Sequence, residues 1–154
     1  MEQSVSATLY PKRIIIATMI SDIHGSVWAD TDCLSILPSN VPEEELGTIV
    51  IRHIAISEAK DLSKIDMWDM RARYRSLAKF KTEGQLMKNS KLVKIILADN
   101  QLRFEPKDNR YSETRRHYYG YYPLPDKKFN IQYPCSNEEV GAGLRRAWDL
   151  AIIT

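Results

Sequence analysis

Asp22 and His24 stand two residues apart just beyond an isoleucine-rich run, Arg13 to Ile20. On a strand, positions i and i+2 point to the same side. An aspartate and a histidine placed this way can share a metal ion that activates water for hydrolysis. A two-metal hydrolytic centre, however, needs about six to eight ligands from several strand ends. The chain has three histidines: His24, His53 and His117. His53 falls on the apolar stripe of an expected helix, and His117 follows Arg115-Arg116 in a polar stretch. Read from the residues alone, Ile20 to Gly25 is a strand ending in a turn, with Gly25 as the turn residue. Nucleophilic chemistry fares no better. Cys135 follows Pro134 at an expected helix start, where the dipole lowers a thiol pKa, but no histidine or acid stands beside it. Cys33 lies in an apolar stretch and reads as a packing residue. The acid pairs Glu44-Glu45 and Glu138-Glu139 fall in first turns of helices, where they serve the dipole.

The hexad Ile20-Ser21-Asp22-Ile23-His24-Gly25 resembles the opening motif of calcineurin-like metallophosphoesterases. That family completes its site with a downstream Gly-Asp pair, an Asn-His pair and a Gly-His-x-His, and this chain has none of the three.

The elements are organised by a pattern that occurs twice. Leu37-Pro38 followed by Glu44-Glu45-Leu46-Gly47 reappears as Tyr133-Pro134 followed by Glu138-Glu139-Val140-Gly141. Each copy reads as an extended segment, a proline and the start of an amphipathic helix. A glycine inside a helix costs about 1 kcal/mol relative to alanine, so the two glycines point to close backbone packing. The first helix is expected from Pro42 to Ser57, with Leu46, Val50, His53, Ile54 and Ser57 on one stripe. In the last, Ser136 and Glu139 have the spacing of a capping box, and Val140, Leu144, Ala147, Trp148 and Ala151 form the buried stripe. Strands are expected at Arg13–Ile20, at Leu92–Leu97, at Leu102–Glu105 ended by Pro106, at Tyr118–Tyr122 and at Lys128–Tyr133. Shorter ones are expected at Ser26–Trp28 or Leu34–Leu37. Ala98 to Gln101 reads as a hairpin connection, and Lys107 to Arg116 as a polar loop. In the charged middle, a short helix is expected near Tyr74 to Phe80, with Gly84 breaking any longer one. The fold class is α+β: one domain over residues 1–154, a mainly antiparallel sheet packed by two similar amphipathic helices.

The 154 residues carry 22 Lys and Arg against 20 Asp and Glu, a net charge of +2. Such a balance does not by itself imply nucleic acid. Two cysteines without CxxC spacing imply no zinc site, and the absence of an apolar leader makes the cytoplasm, with reduced thiols, the expected compartment. No cofactor is implied. Two segments stand out as contact material. Arg71, Arg73, Arg75, Lys79 and Lys81 interleave with Tyr74 and Phe80, and Arg115-Arg116-His117-Tyr118-Tyr119-Gly120-Tyr121-Tyr122 is the most unusual run in the chain. Either can bind phosphates or stack bases. Tyr and Arg are also the residues enriched at protein–protein hot spots, and near-neutral charge favours protein over nucleic acid.

In order of occurrence, several features are similar to the immunity proteins of bacterial contact-dependent growth inhibition systems. They are Leu37-Pro38 with Glu44-Glu45-Leu46-Gly47, the charged middle with Tyr74 and Lys79-Phe80-Lys81, the strand Val93 to Leu97, Leu102-Arg103-Phe104-Glu105-Pro106, and Ser136 to Gly141 with Leu144 and Ala147. The first copy departs from its pattern, with Val41-Pro42 where a serine cap is expected. The resemblance implies a cytosolic protein without catalysis that binds the C-terminal toxin domain of a cognate secreted effector, commonly a nuclease, and blocks its active site or substrate surface. Because contacts vary between pairs, the resemblance assigns no binding residue. From the residues themselves, the candidates are Arg71, Arg73, Arg75, Arg115, Arg116, Tyr118, Tyr119 and Tyr121, with no membrane or direct nucleic-acid partner. For a toxin with a basic site, Asp61 to Asp69 become the better candidates. The alternatives are a metallophosphoesterase using Asp22 and His24, and a small nucleic-acid-binding module.

Overall fold

A computed structural model describes residues 2–25, 27–113 and 120–154. Among them, nine strands form one sheet in the order β3-β2-β1-β5-β6-β7, with β4 added to β2 and β8 and β9 added to β6. The strands are β1 (Gln3–Leu9), β2 (Arg13–Asp22), β3 (Trp28–Pro38), β4 (Ala59–Lys60), β5 (Lys91–Ala98), β6 (Gln101–Asn109), β7 (Tyr121–Pro123), β8 (Phe129–Gln132) and β9 (Ile152–Ile153). Pairing is antiparallel except for β4 and β9. Four helices, α1 (Glu43–Ala55), α2 (Met67–Leu77), α3 (Glu83–Met87) and α4 (Asn137–Leu150), complete the α+β fold. None is long and apolar enough to cross a membrane.

Alternation along the strands builds two cores. Val5, Ala7, Ile14, Ile16, Val93, Ile95, Leu102 and Phe104 face α1 and α4. Ile15 and Ala17, on the opposite side of β2, meet Tyr74, Ala78, Leu86 and Met87 from the α2–α3 segment. Strand β2 is therefore covered on both faces, which is why Ile14 to Ile16 is an unbroken apolar run. Phe104 stacks on Phe129, ring centroids 5.1 Å apart. Trp148 of α4 is buried against β1 and donates its indole N–H to the Ala7 carbonyl at 3.1 Å.

Helices α1 and α4 pack through the two repeated glycines. A Cβ on Gly47 would lie 1.8 Å from the Asn137 carbonyl oxygen, and one on Gly141 would lie 1.9 Å from the Glu43 carbonyl oxygen. The contact is reciprocal: each glycine receives the first turn of the other helix, and a polar link, Asn137 Nδ2 to Thr48 Oγ1 at 3.0 Å, ties the same ends. Ser136 and Glu139 form the capping box expected of α4. Helix α1 starts at Pro42 with no side-chain cap and relies on Glu43, Glu44 and Glu45 in its first turn.

Several expectations are corrected. Residues 3–9, to which the sequence assigned no element, form a central strand, with Ser4, Ser6 and Thr8 small enough to lie buried opposite Val5 and Ala7. The two short strands expected after Gly25 are one long strand, β3. The middle holds two helices, and Gly84 lies inside α3. The chain instead leaves α2 through Lys79, at φ 61°. Pro106 does not end β6. It pairs with Val93 at the end of the β5 ladder, and β6 continues on new partners, β7 and β9. Proline tolerates this position because it falls where one ladder gives way to another. Ala98 to Gln101 is the expected hairpin turn, with Asp99 and Asn100 at φ 52° and 57°. The expected Tyr118–Tyr122 strand is described only from Tyr121.

Candidate functional site

Helix α2 is set by the polar residues around it. Asp66 caps it by accepting the Asp69 N–H at 3.0 Å. Met70, Tyr74 and, just past the helix end, Ala78 turn inward. The three candidate arginines follow the same logic. Arg71 makes a two-pronged contact with Glu83, at 2.9 and 3.0 Å, and reaches Asp30 on β3 at 3.7 Å. Arg73 meets Asp32 on β3 at 3.2 Å and Asp69 at 3.5 Å. Arg75 lies 3.7 Å from Glu83. Burial works against the Arg71 charge, but Glu83 and Asp30 outweigh it and raise its pKa. Burial likewise pushes the Asp30 carboxyl up, against the pull of Ser6, Arg71 and Lys94. The three arginines come together as clasps between α2, β3 and α3 rather than as a free cationic face. Tyr74 is buried, so it offers no stacking platform for a base.

Of the tyrosine-rich run, Tyr121 is half-buried on β7 and meets the Ser90 hydroxyl at 2.5 Å. Burial raises its pKa to about 12, with the Ser90 hydrogen bond acting in the opposite direction. Arg115, Arg116, Tyr118 and Tyr119 lie outside the described residues, as does His117.

Trp68 lies within the Asp61 to Asp69 stretch that the sequence offered for a toxin with a basic site. It is 89 % exposed. The signal was present: on a helix, Trp68 falls off the stripe formed by Met70, Tyr74 and Ala78. Met67, Trp68 and Arg71 of α2 line a recess of about 300 Å³ together with Ala29 and Asp30 of β3. Two further apolar side chains, Ile23 and Val27, are exposed in the β2–β3 connection.

The groups with chemical potential have structural duties. Asp22 accepts the Leu62 N–H at 3.4 Å, while His24 turns to Asp61 at 3.6 Å. Among the described residues, no three His, Cys, Asp or Glu side chains converge as a metal would require. Both cysteines are free. Cys33 is exposed rather than packed, because it lies in the bulge of β3 where residues 31–33 stand against Thr18 alone. Cys135 does not gain acidity from the helix start: burial and then Glu139 push its thiol up. His53 lies in the core as its stripe predicts, held by Thr18 Oγ1 on Nδ1 and Ser35 Oγ on Nε2, both at 2.7 Å. The Cys33 sulfur stands 4.0 Å from an Nδ1 already engaged by Thr18.

His53 carries a pH prediction. Burial, and then the Arg52 charge, lower its pKa, so the unfolded chain binds a proton that the folded one resists. Its contribution to stability is full above the unfolded value of about 6.5 and is lost as pH falls from there through the folded value. Urea unfolding across this range should show a steeper acid decline in the wild type than in His53→Gln. Parallel curves would contradict the assignment.

A family model described as CDI immunity protein matches residues 3–151. A comparison with curated proteins gives no match. Among solved structures, the chain is similar to a protein of unknown function from Neisseria meningitidis, at 22% identity and TM-score 0.78, covering 98% of this chain and 96% of that one. It is also similar to a CdiA-CT/CdiI toxin and immunity complex from Yersinia pseudotuberculosis, at 17% identity and TM-score 0.77, with 98% of each chain covered. At these identities the likeness is one of fold.

Proposed function

Because the chain belongs to the CDI immunity protein family, we propose that it binds the C-terminal toxin domain of a cognate contact-dependent growth inhibition effector and neutralises it by occlusion. The observation that carries this reading is the family match over residues 3–151. The fold shared with the Yersinia pseudotuberculosis toxin and immunity complex supports it. The protein contributes surface and no reactive group, and it acts inside the cell that the toxin enters. The toxin we infer is a nuclease, whose substrate-binding surface must be cationic to hold phosphates. An inhibitor of such a surface gains association rate from acidic groups.

The test is direct. The toxin domain of the cognate effector is expressed with and without the protein. A one-to-one complex on co-purification and restored growth are expected. Absence of both, or turnover of a phosphodiester that depends on Asp22, would overturn the reading.

A further inference from the structure

Trp68 has no role in holding the fold together. Trp148 is buried in the α1–α4 core, and Trp28 lies beneath the Lys94 ammonium at 4.8 Å. Trp68 instead projects from the first turn of α2 at 89 % exposure, on the side away from the stripe that docks that helix. Beside it, Met67 and Ala29 give the recess an apolar lining. Indole is the side chain most often found as an interface anchor, since it removes a large rigid area from water on docking.

The surrounding charge selects the partner. Residues 20–32 and 58–69, which supply the β2–β3 connection, the start of β3 and the approach to α2, contain seven carboxylates against two lysines, in a chain that is otherwise cationic. Lys60 and Lys64 lie on Glu58 and Asp61 at 3.1 and 3.9 Å. Arg71 and Arg73, the nearest cations of α2, are engaged by Asp30, Glu83 and Asp32. With these two arginines counted, seven carboxylates face four cations, so Trp68 stands as an aromatic anchor in a surface of net negative charge.

We propose that Trp68 and this acidic rim form the docking surface for the toxin domain, with the indole seated in an apolar socket on a cationic toxin face. The proposal rests on the toxin-binding reading above. It places the contact at the start of α2, where Arg71 lines the same recess and is held by Glu83 and Asp30.

The test uses the full chain and the cognate toxin domain, with affinity measured by calorimetry and association rate by stopped-flow, each at low and moderate salt. Trp68→Ala should weaken binding by about a hundredfold, the scale of a hot-spot truncation. Asp69→Lys should slow association and reduce its salt dependence. Arg52→Ala, on α1 across the sheet, should bind as the wild type does. Because Trp68 is exposed, its removal leaves folding intact, which unfolding curves verify. If the wild type binds and Trp68→Ala binds within threefold of it, the surface is wrong while the toxin-binding reading stands. If the wild type itself does not bind the toxin domain, both fail. A concentration-dependent dimer of the free protein that Trp68→Ala abolishes would assign the surface to a second copy and overturn the proposal.

Discussion

Alanine at Gly47 or Gly141 is expected to cost this protein about 3 kcal/mol or more at either position, a large share of a small domain's stability. Each new Cβ would lie less than 2 Å from a backbone carbonyl oxygen of the opposing helix. Backbone cannot rotate aside as a side chain can. Helices α1 and α4 must therefore separate, which loosens Leu46 and Val50 against Val140 and Leu144. Alanine's better helix propensity returns about 1 kcal/mol and does not offset that loss. Gly143 is the internal comparison. Its added Cβ would meet the tip of the Phe104 ring at 2.9 Å, and a ring can slide, so Gly143→Ala should cost less. Urea unfolding followed by circular dichroism ranks the three. Midpoints for Gly47→Ala or Gly141→Ala at or above that of Gly143→Ala would show that the helices are not in contact here.

Trp148→Ala should lose about 3–5 kcal/mol, the range for truncating a buried aromatic. The side chain fills the space between α4 and β1 and is 1 % exposed. Its loss opens a cavity and leaves the Ala7 carbonyl without the indole donor. Trp148→Phe separates the two effects. It retains most of the volume and removes the hydrogen bond, so it should cost about 1–2 kcal/mol. The same unfolding measurement decides. If phenylalanine proves as damaging as alanine, the bond rather than the volume holds the helix to the sheet.

Much of this architecture was legible from the chain because it rests on local rules. The capping box at Ser136 and Glu139, the hairpin at Asp99-Asn100 and the apolar stripes of α1 and α4 each follow from neighbours a few residues apart. The repeated glycines pointed to close backbone contact before the helices were seen together. What stayed hidden depends on distant partners. Strand β1 has Val5, Ala7 and Leu9 on its core face but Ser4, Ser6 and Thr8 on the other, and its serines are buried because two long strands flank it. Helix α2 has a weak apolar stripe. It is held by Arg71 and Arg73 pairing with Glu83, Asp30 and Asp32, carboxylates far away in sequence. Trp68 did not stand out within the Asp61 to Asp69 stretch because the expected helix began near Tyr74, whereas α2 starts at Met67.

The central position of β1 sets when protection can begin. Residues 3–9 lie between β2 and β5, and Ala7 is bonded to Trp148. The middle of the sheet therefore cannot close until residues 91–98 and 137–150 have left the ribosome. Contacts of such sequence separation slow folding because a long loop must be ordered before any of them forms. A growing chain would hold the β5-facing edge of β1 open until those later residues emerge, so a cell would be defended by molecules already made, and its immunity would trail synthesis rather than accompany it.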